Sequence, residues 1–165
     1  MKRIYFVRHA KSSWDHPELS DHDRPLNKRG IRDAPLMAQL LVARGHQLDG
    51  LVSSTAKRAW STALVFADAC QIEEAAILSR SELYHASPSQ IIEVIRQLPE
   101  DWHQIALFGH NPGFTDLANR FKGDYIDNVP TCGIVCAQSE VTSWGNWKAA
   151  NCTRPLFYYP KQFKS

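Results

Sequence analysis

The sequence predicts an α/β fold: a three-layer α/β/α sandwich with helices on both faces of a mostly parallel central sheet. Two observations carry this. Short apolar, β-rich runs alternate with segments of helical periodicity through most of the chain. Arginine or histidine then stands at or just beyond the end of three of those runs, where open α/β sheets form their ligand crevice. A length of 165 residues fits one domain, residues 1–165, with a substantial core, and is too short to expect two.

The first element is Ile4-Tyr5-Phe6-Val7, a wholly apolar run that reads as a buried strand, followed at once by Arg8-His9-Ala10. A cation and a titratable ring are costly to place there without partners. Residues 14–24 form a polar loop with Asp15, His16, Glu18, Asp21, His22 and Asp23. Their spacing fits no metal-ligand motif, so the loop reads as solvated surface. Asn27 is placed to cap a helix in which Ile31, Ala34, Ala38, Leu41 and Val42 recur at helical spacing. Pro35 should kink that helix or delay its start, and Gly45 should end it.

Leu51-Val52 forms a short buried strand running into Ser53-Ser54-Thr55. The next helix, Ala56–Ala69, should bury Trp60, Ala63, Leu64 and Ala67 and carries Arg58 in its first turn. A cation there opposes the helix dipole, which points to an anion bound beside it. A third strand is expected at Ala75–Leu78. Ser87-Pro88-Ser89-Gln90 then combines a capping box with proline at the first helical position, opening a helix to about Leu98. The fourth strand, Gln104–Phe108, ends in Gly109-His110-Asn111-Pro112-Gly113. Asn111 can cap the following helix, and Phe114, Leu117, Ala118 and Phe121 face inward. Strand-like stretches follow at Gly133–Ala137, Trp147–Cys152 and Leu156–Tyr159.

Composition narrows the function. Apolar content of 44% and charged content of 22% are those of an ordinary globular protein, and a net charge of +2 without any basic run argues against nucleic-acid binding. Lys2 and Arg3 could mimic the start of a signal peptide, but the apolar run stops after Val7 and no run approaches a membrane span, so no membrane contact and a cytoplasmic location are expected. Cys70, Cys132, Cys136 and Cys152 lack paired metal spacing and read as buried free thiols. Six residues beyond each cysteine stand Ala76, Gln138, Thr142 and Tyr158, none the arginine that a cysteine-nucleophile phosphate loop needs.

In a parallel sheet Arg8/His9, Arg58 and His110 lie at one edge and can converge. Two guanidiniums offer planar donors for phosphoryl oxygens, and two imidazoles offer a nucleophile and a further donor. Arg8-His9-Ala10 with Ser12, Leu26-Asn27 with Gly30 and Ala34, Ser53-Ser54 with Arg58-Ala59 and Thr62-Ala63, and Gly109-His110-Asn111 together resemble the histidine phosphatase superfamily, of phosphoglycerate mutase-like fold. The compact length and Pro130-Thr131-Cys132-Gly133 are most similar to its SixA-type phosphohistidine phosphatases.

The resemblance implies covalent phosphoryl transfer. His9 would attack phosphorus, and Arg8, Arg58 and His110 would hold the phosphoryl oxygens. Ser12 and Asn111 would line the phosphate site. No metal or other cofactor is implied, since the arginines supply the positive charge. Larger members protonate the leaving oxygen with a carboxylate after the third strand. Glu82 stands near that place, either as this acid or as a loop carboxylate paired with a pocket arginine. The expected partner is a phosphorylated protein carrying phosphohistidine, or a small phosphate ester. A catalytically weak phosphate-binding module is the third reading, opposed by the nucleophilic imidazole.

Overall fold

A run that is apolar on both faces, such as Ile4–Val7, belongs in the middle of a covered sheet. The structure, a computed structural model, describes residues 1–164. Its main elements are β1 (Lys2–Arg8), α1 (Lys28–Ala43), β2 (Gly50–Ser53), α2 (Lys57–Ala69), β3 (Leu78–Ser79), α3 (Pro88–Arg96), β4 (Gln104–Gly109), α4 (Gly113–Ala118), β5 (Ile134–Ser139) and β6 (Phe157–Tyr158). They form one six-stranded sheet in the order β3-β2-β4-β1-β5-β6. β3, β2, β4 and β1 are parallel, and β5 and β6 add an antiparallel flank.

Alternation along the strands divides the core. From β1, Ile4 and Phe6 enter a cluster with Ile91 and Ile95 of α3 and Phe114 and Leu117 of α4. Tyr5 and Val7 enter the opposite cluster, with Met37 and Leu41 of α1 and Ala63 and Phe66 of α2. Each fully buried large apolar side chain contributes about 1.5–3 kcal/mol.

The Asn27 cap holds, its side chain accepting the Gly30 N–H at 2.9 Å, so α1 starts at once and continues through Pro35. Ala34, Met37, Ala38 and Leu41 form its buried stripe, whereas Ile31 and Val42 lie to one side of it and are exposed. Trp60 and Leu64, expected in the core, are half-buried, because Ala59, Ala63, Phe66 and Ala67 supply the inward face of α2. The third strand is displaced to Leu78–Ser79 behind a 3-10 turn at Glu74–Ala76. No strand forms at Trp147–Cys152. The run Ala149-Ala150-Asn151 has little β preference, and 3-10 turns at Trp144–Asn146 and Ala149–Asn151 instead seat Trp144 and Trp147 fully in the core. The four cysteines are free. Among the described residues no helix is long and apolar enough to cross a membrane.

One close approach fixes the loop after β1. Gly30 lies so near the Lys11 backbone that a Cβ would collide with the Lys11 carbonyl, and Asn27 N–H donates to that same oxygen at 3.0 Å.

Candidate active site

At the carboxyl edge of the parallel strands, Arg8, His9, Ser12, Arg58, His110 and Asn111 line one cavity of about 210 Å³. Lys11, Trp14, Arg24, His85 and Thr131 complete its wall.

The backbone pins His9. Its N–H donates to Gly109 O of β4, and its own carbonyl accepts the Cys132 N–H. Ala10 N–H donates to Thr62 Oγ1, whose hydroxyl donates to Arg58 O, so α2 is tied to the same loop. His9 Nδ1 lies 2.7 Å from Ala10 O. A carbonyl only accepts, so Nδ1 carries the proton and Nε2 keeps its lone pair. Burial pushes the His9 imidazolium down to about 3, with Arg58, Arg8 and Arg24 adding to the shift. The ring is therefore neutral at physiological pH.

His110 is also held neutral, by burial first and then by His9 and Arg58. Its Nε2 lies 2.9 Å from Ser54 Oγ, which already accepts the Ala56 N–H. The Ser54 hydroxyl proton has no other acceptor among the described residues, so it goes to Nε2 and leaves Nδ1 as an N–H donor. That buried Nδ1 has no hydrogen-bond partner among the described residues, and neither has the buried Nε of Arg8. Buried polar atoms are nearly always satisfied, so two orphans beside one cavity mark donors reserved for a ligand.

Asp21 gathers the remaining cations. Arg58 Nη1 donates to its carbonyl at 2.6 Å and Nη2 to its Oδ2 at 3.0 Å. Arg24 Nη1 donates to Oδ1 at 3.0 Å, Nη2 to Ser12 Oγ at 2.6 Å, and its guanidinium stacks on Trp14 at 3.3 Å. The Tyr84 hydroxyl donates to Oδ2 at 2.6 Å, and this bond, then Arg24 and Arg58, holds the Asp21 carboxyl well below the usual carboxylate range. The anion called for by Arg58 at its helix N-terminus is thus present within the chain. With Arg8, Lys11, Arg24 and Arg58 against one carboxylate, the cavity suits a compact dianion such as a phosphoryl group.

Two sequence candidates are in the wall but already engaged. Ser12 Oγ accepts from Arg24. Asn111 Nδ2 donates to Asn128 Oδ1 and Val129 O, and its Oδ1 accepts from Thr115. Glu82 does not line the cavity. In its 3-10 turn the inward position belongs to Leu83, 2% exposed, so Glu82 faces solvent and accepts from Ser81. The loop at residues 14–24 is not all solvated surface either, since Arg24 is buried and Asp21, though exposed, binds Arg24 and Arg58. Sequence reasoning missed these two, together with Tyr84 and His85. The available signal was an acidic loop ending in Arg24, beside a site already rich in cations.

The model of the histidine phosphatase superfamily (branch 1) matches residues 4–113. The chain belongs to that superfamily. It is a phosphatase of the histidine phosphatase type. An uncharacterised chloroplastic protein of Arabidopsis thaliana is 31% identical over 171 residues, covering 93% of this chain and 78% of that protein. Phosphoserine phosphatase 1 of Hydrogenobacter thermophilus is 34% identical over 141 residues, 78% of this chain and 64% of that enzyme. Among solved structures, the SixA protein of Agrobacterium tumefaciens superposes with a TM-score of 0.81 at 26% identity, covering 96% of this chain and 98% of that one.

Proposed function

We propose that this histidine phosphatase hydrolyses phosphohistidine on proteins, without a metal, through a phosphoryl group carried covalently on His9. The observation that carries the chemistry is the free Nε2 of a neutral His9, its tautomer fixed by Ala10, among Arg8, Arg24, Arg58 and His110. Nε2 attacks phosphorus as the bond to the leaving imidazole breaks, and the departing ring keeps its distal proton and leaves neutral. Arg8, Arg58 and the Nδ1–H of His110 hold the phosphoryl oxygens, where preorganised donors act most strongly in the transition state. Water then attacks the same phosphorus, the bond to His9 breaks, and inorganic phosphate departs.

Cavity size supports a protein substrate. A volume of about 210 Å³ is below the roughly 300–1,000 Å³ of small-molecule pockets, so it accepts a phosphoryl group and leaves the rest of the substrate outside. Trp14, 73% exposed beside the cavity, offers a contact for that outer part. The SixA likeness points the same way. A second reading, hydrolysis of a phosphate ester, is favoured by a third imidazole in the cavity wall, His85, and by the likeness to phosphoserine phosphatase 1.

The test is phosphate release from a phosphohistidine-bearing protein and from a panel of phosphate esters, with chelator present and His9→Ala as control. We expect the phosphoprotein to be preferred and His9→Ala to lose turnover by on the order of 10⁴-fold or more while still binding phosphate. Faster turnover of one ester moves the assignment to the second reading, and no turnover of any substrate by the intact protein removes the catalytic one.

A further inference from the structure

With Glu82 turned to solvent, the place of a leaving-group acid falls to another residue. We propose that His85, held by Asp21, is the proton donor for alkoxide leaving groups, which extends the site from phosphohistidine to alkyl phosphate monoesters. This rests on the phosphatase reading above but not on its phosphohistidine specificity.

The two histidines differ in depth. His9 is 8% exposed at the floor of the cavity, whereas the His85 side chain is 59% exposed while lining the same cavity. In-line displacement puts the leaving group opposite the nucleophile, hence toward the mouth where His85 stands. Its ring lies 6.0 Å from that of His110 and 4.0 Å from that of Tyr84, centroid to centroid. Its Nε2 is 3.4 Å from Asp21 Oδ2. Asp21, engaged by Arg24, Arg58 and Tyr84, stays an acceptor and cannot serve as the acid itself. At 3.4 Å its carboxylate is a charge partner for a protonated His85 ring rather than a hydrogen-bonded triad member. With Nε2 on the Asp21 side and neither ring nitrogen hydrogen-bonded among the described residues, Nδ1 is free to donate to the substrate. The backbone at His85 has φ of 54°, a left-handed conformation that a β-carbon disfavours. Such outliers concentrate where a side chain must be aimed.

The step balances. As the His9 Nε2–phosphorus bond forms, the bond from phosphorus to the leaving oxygen breaks, the electron pair stays on oxygen, and His85 supplies its proton. In the second half, water attacks phosphorus, neutral His85 takes the water's proton, and the pair of the breaking bond returns to His9. The sum is ester and water to alcohol and inorganic phosphate. A neutral imidazole leaving group needs this proton far less than an alkoxide does.

The experiment compares an alkyl substrate, O-phosphoserine within a peptide, with the aryl substrate p-nitrophenyl phosphate. The variant is His85→Asn, chosen because asparagine tolerates left-handed φ, with thermal unfolding as the check that it folds. We expect kcat/KM for the alkyl ester to fall about 100-fold or more. The loss for the aryl ester should be at least about tenfold smaller, since its leaving group is already good. Asp21→Asn should skew the two substrates in the same direction by less, as a positioning residue would. Equal losses for both esters in His85→Asn, or no loss for the alkyl ester, would overturn the assignment. So would an intact protein that does not hydrolyse the alkyl ester. The phosphohistidine assay is read separately, so that last result leaves the primary function standing.

Discussion

Each end of β1 carries a cation, fully buried at the amino end and half-buried at the carboxyl end, and the two are treated in opposite ways. At the amino end Lys2 is fully buried, yet its Nζ donates to Glu100 O at 2.8 Å and Trp102 O at 2.7 Å and lies 5.0 Å from the centre of the Trp144 ring. At the carboxyl end Arg8 donates once, from Nη1 to Val129 O at 2.9 Å, and its buried Nε has no partner among the described residues. Burial and the neighbouring Arg58 lower the pKa of the Arg8 guanidinium. A buried cation with its donors satisfied is architecture. One left short of partners and set beside another cation is a site waiting for an anion.

Exchanging each cation for an apolar side chain should separate the two. Arg8→Met removes an orphan donor and a like-charge neighbour of Arg58. Phosphatase kcat should fall by about 10²–10³-fold, the range for losing one preorganised donor. Stability should stay level or rise by about 1 kcal/mol, measured by urea unfolding. A marked destabilisation would show that Arg8 is architectural after all.

Lys2→Met should do the reverse. Glu100 O loses its donor and Trp102 O keeps only the Trp144 Nε1–H, at a cost of about 1–3 kcal/mol, while turnover of the folded protein should not change. An unaltered unfolding midpoint would mean that the Lys2 contacts add nothing, and the contrast between the two ends would collapse.

Read as sequence, the two ends look alike: Lys2-Arg3 before the apolar run and Arg8-His9 after it. What made the second pair legible was its repetition. A strand ending in a titratable ring recurs at His110, and Arg58 stands against its helix dipole, so chain order and parallel pairing bring all three to one edge. Lys2 gave no such signal, because its acceptors lie 98 and 100 residues away and exist only after folding. The alternation that set the layers was equally legible, since β1, β2 and β4 bury both faces. What stayed hidden belongs to loops. Whether Glu82 or Leu83 turns inward depends on the rotation of one 3-10 turn, and the approach of Asp21 to Arg58 depends on a connection with no periodicity to read. Trp147 was likewise placed by tertiary packing against Phe6 and Phe121, at ring separations of 6.5 and 6.1 Å, against any local preference.

The smallest effect probes the carboxyl end through its protons. His9 has a folded pKa of about 3 against an ordinary value of 6.5. Between those values the folded state binds fewer protons than the unfolded chain, so stability from this residue is present above about pH 6.5 and is lost as pH falls toward 3. Long-range nitrogen–proton NMR should find His9 as the neutral Nδ1–H tautomer from pH 8 to about 4, before any midpoint appears. Inorganic phosphate should raise that midpoint, because a bound dianion offsets the field of Arg8, Arg24 and Arg58, which now oppose protonation. Phosphate should leave the Lys2 end unperturbed, since its ammonium is closed in by carbonyls and an indole. If His9 instead titrates near 6.5 without phosphate, some group already neutralises the cavity, and the carboxyl end of β1 is as fully partnered as the amino end.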